Sequence, residues 1–336
     1  MISSSAPWNV SITINSTNQG NYRVQADSSV VYYGQLYGTS GTQTVDIQPI
    51  ASNYIPSGIG VLSNWGSTIS NASGPYSTSI LVETKTASSW GVTASESMVY
   101  CTSRDVISTS DFYSADVLQW PSNRFLNGSY LGPMGFGSGS LSYSVTYENG
   151  STVSNSAGYY SGVGRVAGNL SISDINGYKP VKMSLSMGGY SLVDNIEIVN
   201  CVPKNSYIVY FVNDFGGIVP ILCDGVNTVI YNANRTMMKK YTGITTPQQF
   251  GKFNYLTNST RTWKLNTGLI MTDKEAQNMG AFFRSPYCWV YDIDKNKVYS
   301  AILEDKSLTV KTFKANKAYC YTLTLSDSIE LITRAQ

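Results

Sequence analysis

Histidine is absent from the 336 residues of this sequence. Because histidine is the usual general base near neutral pH and the commonest metal ligand in proteins, its absence removes whole classes of site. A Ser-His-Asp triad, a Cys-His catalytic pair and a zinc site with histidine ligands are all excluded.

Cysteine is sparse and follows no pattern. The five cysteines are odd in number and widely spaced, at Cys101, Cys201, Cys223, Cys288 and Cys320. No C-x-x-C motif occurs, so the sequence offers neither a metal knuckle nor a thioredoxin-like redox motif. We predict that the cysteines serve as small apolar residues of the interior.

Charged residues make up only 13% of the chain, against about a quarter in typical soluble domains. Ser, Thr, Asn, Gly and Tyr replace them, a composition typical of β-rich extracellular and virion proteins. Residues 1–200 contain 7 basic and 11 acidic residues, net −4, whereas residues 201–336 contain 16 and 10, net +6. The basic second half suits an acidic partner, but the lack of a clustered basic stripe argues against nucleic acid.

Long apolar runs are missing as well. No stretch reaches the length of a transmembrane helix, and the first residues, 1–7, lack the basic and apolar regions of a signal peptide. We therefore expect a protein that is made in the cytoplasm and has no membrane partner.

Short segments in which apolar and polar residues alternate are abundant, each bounded by Gly, Pro, Ser or Asn. This alternation is typical of half-buried strands. Before residue 200 the predicted strands are 8–14, 28–37, 43–50, 78–84, 97–102, 139–147 and 181–199. Without helical periodicity between them they predict β-sandwiches, and the composition of 56–76 and 120–138 predicts loops.

After residue 200 the strands lengthen and one short helix is predicted, at about 272–284. Thr272 is its candidate N-cap, Glu275 completes a capping box, and Ser285-Pro286 ends it. Strands are predicted on both sides of the helix, at 261–270, 287–293, 296–303 and 317–326. The predicted fold is all-β, with consecutive antiparallel β-sandwich domains at 1–95, 96–200 and 201–336, the last containing the packed helix.

The stretch "YIVYFVNDFGGIVPIL", residues 207–222, consists of two apolar strands separated by turn-forming residues. Asn and Asp side chains bond to nearby backbone amides, and glycine tolerates positive φ, so Asn213, Asp214, Gly216 and Gly217 predict a structural turn. A phosphate-binding loop would require a helix after the glycines, whereas residues 218–222 are strand-like.

No motif predicts catalysis, a cofactor or a metal site. "DIDKN" at 292–296 departs from a calcium loop, because Lys297 and Leu303 stand where glycine and glutamate are required. Only a structural ion shared between chains is left open there. No spacing among the acidic residues marks the carboxylate pair of a glycosidase. We predict that the protein is not an enzyme.

The 25 tyrosines exceed what cores of this size require. Tyrosine is favoured at protein interfaces because it combines a large apolar body with a polar tip. Among candidate interface residues we therefore include Tyr159 and Tyr160. The other candidates are lysines in two basic stretches: Lys239, Lys240, Lys311 and Lys314.

The C-terminal half also resembles a known family. Its order runs from "YIVYFVNDFGGIVPILCDG" through "FGKFNYL", "RTWKLNTGLIMTDKE" and "CWVYD" to "KAYCYTLTLSDS". This order is similar to that of virion proteins from phages and prophages of Bacteroides-type bacteria, including relatives of the crAss-like phages. Residues that match the family's opening strand and turn are Tyr207, Tyr210, Asn213, Gly216 and Gly217, whereas Ile218 replaces a tryptophan.

The resemblance implies a neck, ring or tail component of the virion, present in symmetric copies around the portal or tail axis. Its implied partners are copies of itself and other virion proteins of the portal, neck or tail. The alternative is a receptor- or carbohydrate-binding β-module at a tail fibre or baseplate, and a secreted adhesin is disfavoured by the missing signal peptide. A sugar binder should cluster exposed aromatic and amide side chains in one groove, whereas an assembly protein should spread them over extended interfaces.

Overall fold

The computed structural model describes residues 2–3, 7–14, 20–38, 40–54, 77–86, 88–99, 119–131, 134–136, 139–160, 163–165, 168–169, 172–187, 190–239, 252–268, 272–307, 320–329 and 331–334. These residues form an all-β structure, which confirms the predicted fold class. Their strands pair antiparallel, except for one parallel pair at each of two sheet edges.

The N-terminal part forms a five-stranded sheet and a separate two-stranded ribbon. Its elements are β1 (Ile2–Ser3), β2 (Asn9–Ile14), β3 (Asn21–Ala26), β4 (Ser29–Gln35), β5 (Gly41–Asp46), α1 (Gln48–Ala51), a 3-10 turn (Ser52–Tyr54), β6 (Ser77–Lys85) and β7 (Trp90–Val99). The sheet order is β1-β7-β6-β3-β4, and β2 pairs with β5. Alternate residues of β2 and β3 are buried, as the period-two pattern requires.

The middle part is built on a second five-stranded sheet, of order β12-β11-β15-β16-β8. Its strands are β8 (Arg124–Leu126), β9 (Tyr130–Leu131), β10 (Met134–Phe136), β11 (Gly139–Tyr147), β12 (Thr152–Tyr160), β13 (Val163–Arg165), β14 (Gly168–Asn169), β15 (Pro180–Met187) and β16 (Tyr190–Val199). Two ribbons, β10 with β13 and β9 with β14, complete it.

The loop predicted at 120–138 is wrong in part, since the segment contains β8, β9 and β10. Trp120, Phe125 and Leu131 are buried and anchor it to the interior. Gly128, with a φ of +81°, permits the turn between β8 and β9, and the buried anchors fix the position of these strands.

The C-terminal part forms an eight-stranded sheet, with the path β18-β17-β21-β22-β23-β20-β19 and β24 paired to β20. Its elements are β17 (Tyr207–Val212), β18 (Ile218–Cys223), β19 (Thr228–Lys239), β20 (Lys252–Asn266), α2 (Asp273–Arg284), β21 (Cys288–Asp292), β22 (Lys297–Leu303), β23 (Thr322–Asp327) and β24 (Leu331–Arg334). Every residue of β17, β18 and β21 is buried, because both faces of this end of the sheet are covered.

Helix α2 covers one of those faces. The Thr272 hydroxyl accepts a hydrogen bond from the Glu275 backbone N–H, and the Glu275 carboxylate accepts one from the Thr272 N–H, which together form a capping box. Phe282 then packs edge-on against Phe211 of β17, with ring centroids 5.3 Å apart. The helix ends where Ser285, which precedes Pro286, adopts an extended conformation.

The two largest hydrophobic cores of the described residues do not correspond one to one with the three large sheets. One core contains N-terminal residues only, from Trp8 to Met98. A larger core contains residues of both the middle and C-terminal parts, from Trp120 to Leu325. Of the predicted domain boundaries, that at residue 95 falls within β7 and that at residue 200 falls between β16 and β17. The three-domain division stays a prediction.

Candidate functional site

The turn between β17 and β18 is buried and has a structural role. The Asn213 side-chain oxygen accepts hydrogen bonds from the N–H groups of Phe215, at 3.0 Å, and Gly217, at 2.8 Å. Gly216 has a φ of +82°, a conformation that favours glycine. Because Asn213 and Asp214 are each only 1% exposed, no reactive group of theirs reaches a ligand in solvent.

The Asp214 carboxylate ties this turn to two other parts of the chain. Arg284, at the end of α2, donates to it through Nε at 3.1 Å and through Nη2. The Gln119 amide donates to Asp214 Oδ2 at 3.0 Å and accepts from the Asp214 N–H at 3.0 Å. The turn therefore connects the middle part to the helix, which explains why a buried carboxylate is retained there.

The predicted interface residues lie in different places. Tyr159 and Tyr160 end β12 opposite Ser140 and Gly139, and the structure describes their strand but not their side chains. Lys239 is exposed at the end of β19. Lys240, Lys311 and Lys314 lie outside the described residues.

Lys239 belongs to the most exposed strand pair of the C-terminal sheet. We call this feature the arm, and define it as residues 231–239 of β19 with residues 252–261 of β20. The two strands pair from Tyr231 opposite Arg261 to Lys239 opposite Lys252. At about 3.3 Å per residue, the arm is about 30 Å long. None of its residues is buried, and β24 pairs only with its residues 256–259.

Both apolar and basic side chains are exposed on the arm. Tyr231 is 73% exposed, Met237 69%, Met238 52% and Tyr255 46%. The sequence contains no Asp or Glu from residue 225 to residue 272, and the arm exposes Arg235, Lys239 and Lys252, whereas its Arg261 is paired with Asp327. The arm is thus a cationic surface with large apolar side chains, a combination that suits an acidic protein surface.

The outer edge of the arm is open within the described part of the chain. β19 is the terminal strand of its sheet, so one side of its backbone has no strand partner among the described residues. An open edge offers N–H and C=O groups to a further strand, in the manner of β-augmentation. β19 contains no proline that would prevent such pairing.

A cleft of about 450 Å³ lies at the base of the arm. β23 lies between β22 and β20 and ends at Asp327. Beyond Asp327 no strand joins β22 to β20, and the cleft forms there. Arg261 is fixed in the cleft wall, 3.8 Å from the Tyr299 ring centroid, 4.4 Å from that of Trp263, and 2.9 Å from Asp327 Oδ1. Ile329, 75% exposed, and Tyr231 also line the cleft, which therefore offers an apolar recess beside the arm.

The two buried cysteines, Cys223 and Cys288, are not activated thiols. Burial raises the pKa of the Cys288 thiol to about 12 and raises that of Cys223 as well. Both side chains therefore stay protonated at neutral pH, as expected of apolar interior residues. Cys201 and Cys320 are exposed, so the prediction that the cysteines are interior residues is wrong for these two, whereas Cys101 lies outside the described residues.

The segment "DIDKN" forms the β21–β22 turn. Asp292 Oδ2 accepts from the Lys295 ammonium at 2.7 Å, and Asp294 accepts from the Asn205 N–H at 2.7 Å. Across the described ranges, no group of three or more His, Cys, Asp or Glu side chains is placed to hold a metal ion. No described helix is both long and apolar enough to cross a membrane.

Sequence reasoning missed the arm as a unit. β19 was not among the predicted strands, because its residues have no buried face and therefore no apolar-polar alternation. The available signal was the long interval without an acidic residue.

Comparisons with protein-family models, curated proteins and solved structures found no match for this chain.

Proposed function

We propose that this protein is a structural component of a phage particle, in the neck, ring or tail region, where symmetric copies surround the portal or tail axis. The observation that carries the proposal is the arm, a strand pair about 30 Å long with no buried residue. Exposed methionine and tyrosine side chains beside lysine and arginine add little to the stability of an isolated chain. They stabilise a complex when a partner covers them.

The partner that fits the arm best is a neighbouring copy of the same chain. Residues 1–200 have a net charge of −4, which complements the basic arm of another copy. An arm that contacts a different surface of its neighbour makes a heterologous contact, and such contacts generate rings when the rotation closes. Individually weak contacts then add by multivalency.

This role requires no turnover. Contact with portal, neck or tail proteins would use the same exposed apolar and basic side chains. The protein would act as a part of the virion. The resemblance of the C-terminal half to virion proteins supports the same proposal. The buried turn and the protonated thiols fit it, since neither presents a reactive group to a substrate.

The proposal is tested by sedimentation of the purified protein over a range of concentration and salt, together with a charge-reversed arm. The variant is Arg235→Glu with Lys239→Glu, and the matched control is Lys179→Glu with Lys182→Glu, the same charge change on exposed residues of the middle part. We expect wild type and control to form larger species at low salt, and the arm variant to stay monomeric.

Electron cryo-microscopy and mass spectrometry of purified particles provide the second test. We expect repeated copies around the portal or tail axis, with the arm in contact with a neighbour. A wild-type protein that stays monomeric at high concentration and is absent from particles would refute the proposed assembly role.

A further inference from the structure

The outward face of the N-terminal sheet contains a second cleft, of about 300 Å³, that has no part in the arm. Register places its residues: Asn21 pairs with Gln35 across β3 and β4, and Lys85 pairs with Trp90 across β6 and β7. Directly paired residues of antiparallel strands share a face, so two amides, an ammonium group and an indole surround one depression. Tyr33 forms a further wall.

The aromatic walls are held in place without a ligand. The Tyr33 and Trp90 ring centroids are 6.0 Å apart, and the Arg23 guanidinium lies 4.7 Å from the Trp90 centroid. Arg23 Nε is 2.5 Å from Glu83 Oε2, and the Gln25 amide donates to the same carboxylate. Because Glu83 is 8% exposed, this network is mostly shielded from solvent, and it fixes the rings before any ligand arrives.

Gly34, next to Tyr33 in β4, pairs with the buried Tyr22. A Cβ at this position would lie 2.3 Å from the Tyr22 ring, so only glycine allows the ring to pack against the strand. Tyr33 itself is 64% exposed and lines the cleft.

We propose that this cleft binds a pyranose sugar. A pyranose has an apolar C–H face that packs on an aromatic ring, and a rim of hydroxyl groups that hydrogen-bond to amides. The cleft supplies both, the aromatic rings through Trp90 and Tyr33 and the amides through Gln35 and Asn21. Its volume is at the lower end of the range for small-ligand pockets, about 300 Å³, which suits one sugar ring.

The charge of the lining selects among sugars. Lys85 is the cation of the lining, whose residues include no carboxylate, while Arg23 nearby is paired with Glu83. A sugar acid therefore gains an ion pair with Lys85 that a neutral hexose lacks. The proposal does not rest on the assembly role, because it uses neither the arm nor a second copy.

Saturation-transfer NMR of the whole chain tests the site with a panel of probes. These are the methyl glycosides of glucose, galactose, mannose, N-acetylglucosamine, glucuronic acid and N-acetylneuraminic acid. We expect saturation of the ring protons of at least one probe, with tighter binding of a sugar acid than of a neutral sugar. Trp90→Ala should weaken binding at least tenfold, and Lys85→Gln should weaken binding of the sugar acids only.

Two further variants keep the test decisive. Tyr33→Ser changes an exposed side chain, so it reports on the site even if Trp90→Ala does not fold. Tyr178→Ser, at an exposed tyrosine of the middle part, is the matched control and should bind as wild type does. Absence of saturation for every probe, or equal saturation in wild type and Tyr33→Ser, would overturn the proposal.

Discussion

The two edges of the eight-stranded sheet differ sharply. At one edge, β18 is buried along its whole length and contains Pro220, whose nitrogen has no proton to offer a further strand. Arg124 of β8 donates to both oxygens of Asp224, just after β18, at 3.0 and 2.8 Å, and so closes this edge. At the other edge, residues 231–239 of β19 are all exposed. We call the closed end of the sheet, formed by β17, β18 and β21, the base. One continuous ladder thus joins the base to the open arm.

The base supplies the stability of the fold, whereas the arm offers a surface for recognition. In the base, alternate residues of β17 pack into two cores on opposite faces, with Phe211 in one and Tyr210 in the other. Burial of such side chains is the main source of folding free energy. Along β19 the arm is exposed throughout, so the sequence of this strand can change with little effect on folding and a large effect on binding. Four predictions test this contrast.

The largest effect is expected from Phe211→Ala in the base. Phe211 is fully buried and packs against Phe282, so its loss leaves a cavity that the surrounding sheet and helix cannot fill. We expect the free energy of unfolding to fall by about 3–5 kcal/mol, measured by urea denaturation. Met238→Ala on the arm is the comparison variant. Equal losses in the two variants would contradict the division between base and arm.

A smaller effect is expected from Arg284→Met, which removes the cation paired with the buried Asp214 carboxylate. Arg284 is 54% exposed and Asp214 is 1% exposed, so the cost arises from the carboxylate left in the interior. Gln119 still donates to it, and we expect a loss of about 2 kcal/mol. Lys274→Met, on the same helix, should change stability by less than about 0.5 kcal/mol. A neutral result for Arg284→Met would show that the ion pair does not hold the turn.

Alkaline pH should weaken the base. Burial raises the pKa of Cys288 to about 12 and also raises the pKa values of Tyr207 and Tyr291. Above about pH 8.5, the unfolded chain loses the thiol protons of Cys288 and Cys223 while the folded chain keeps them, so stability present below that pH is lost as the pH rises toward 12. The slope is up to about 1.4 kcal/mol per pH unit for each thiol.

Urea denaturation at pH 8, 9 and 10 measures this slope. Cys288→Ala should make it shallower, because the variant removes one group that titrates differently in the two states. An identical slope in wild type and variant would mean that Cys288 ionises equally in the folded and unfolded chain.

The smallest effect on stability is expected from Met237→Ser with Met238→Ser on the arm. Both side chains are more than half exposed, so we expect a change of less than about 0.5 kcal/mol for each. Assembly should nevertheless weaken, as sedimentation would detect, because a partner no longer gains the apolar contact. A variant that assembles as well as wild type would restrict the proposed contact to the charged residues.

Local features of the fold could be predicted from the sequence. The capping box at Thr272 and Glu275 uses residues three positions apart, and the turn at Asn213 uses bonds between near neighbours. Alternation predicted β2, because one face of that strand is buried, but β3 was missed although its buried residues alternate in the same way. The short strands within 120–138 could not be predicted, since Trp120 and Phe125 are held by residues far away in sequence.

The candidate sites followed the same rule. Lys239 was predicted as an interface residue from its local charge, but its position on an exposed arm depends on pairing with Lys252. Nothing in the sequence connects Tyr33 with Trp90, which only the order of four strands brings together.

By itself, the sequence determined the β class, the capped helix and the absence of histidine chemistry, because these depend on composition and on residues close along the chain. The tertiary structure alone decided which sheet edge is closed, which is open, and where aromatic side chains meet amides. Those outcomes depend on contacts between distant residues, and the alternation of a strand does not specify its neighbours.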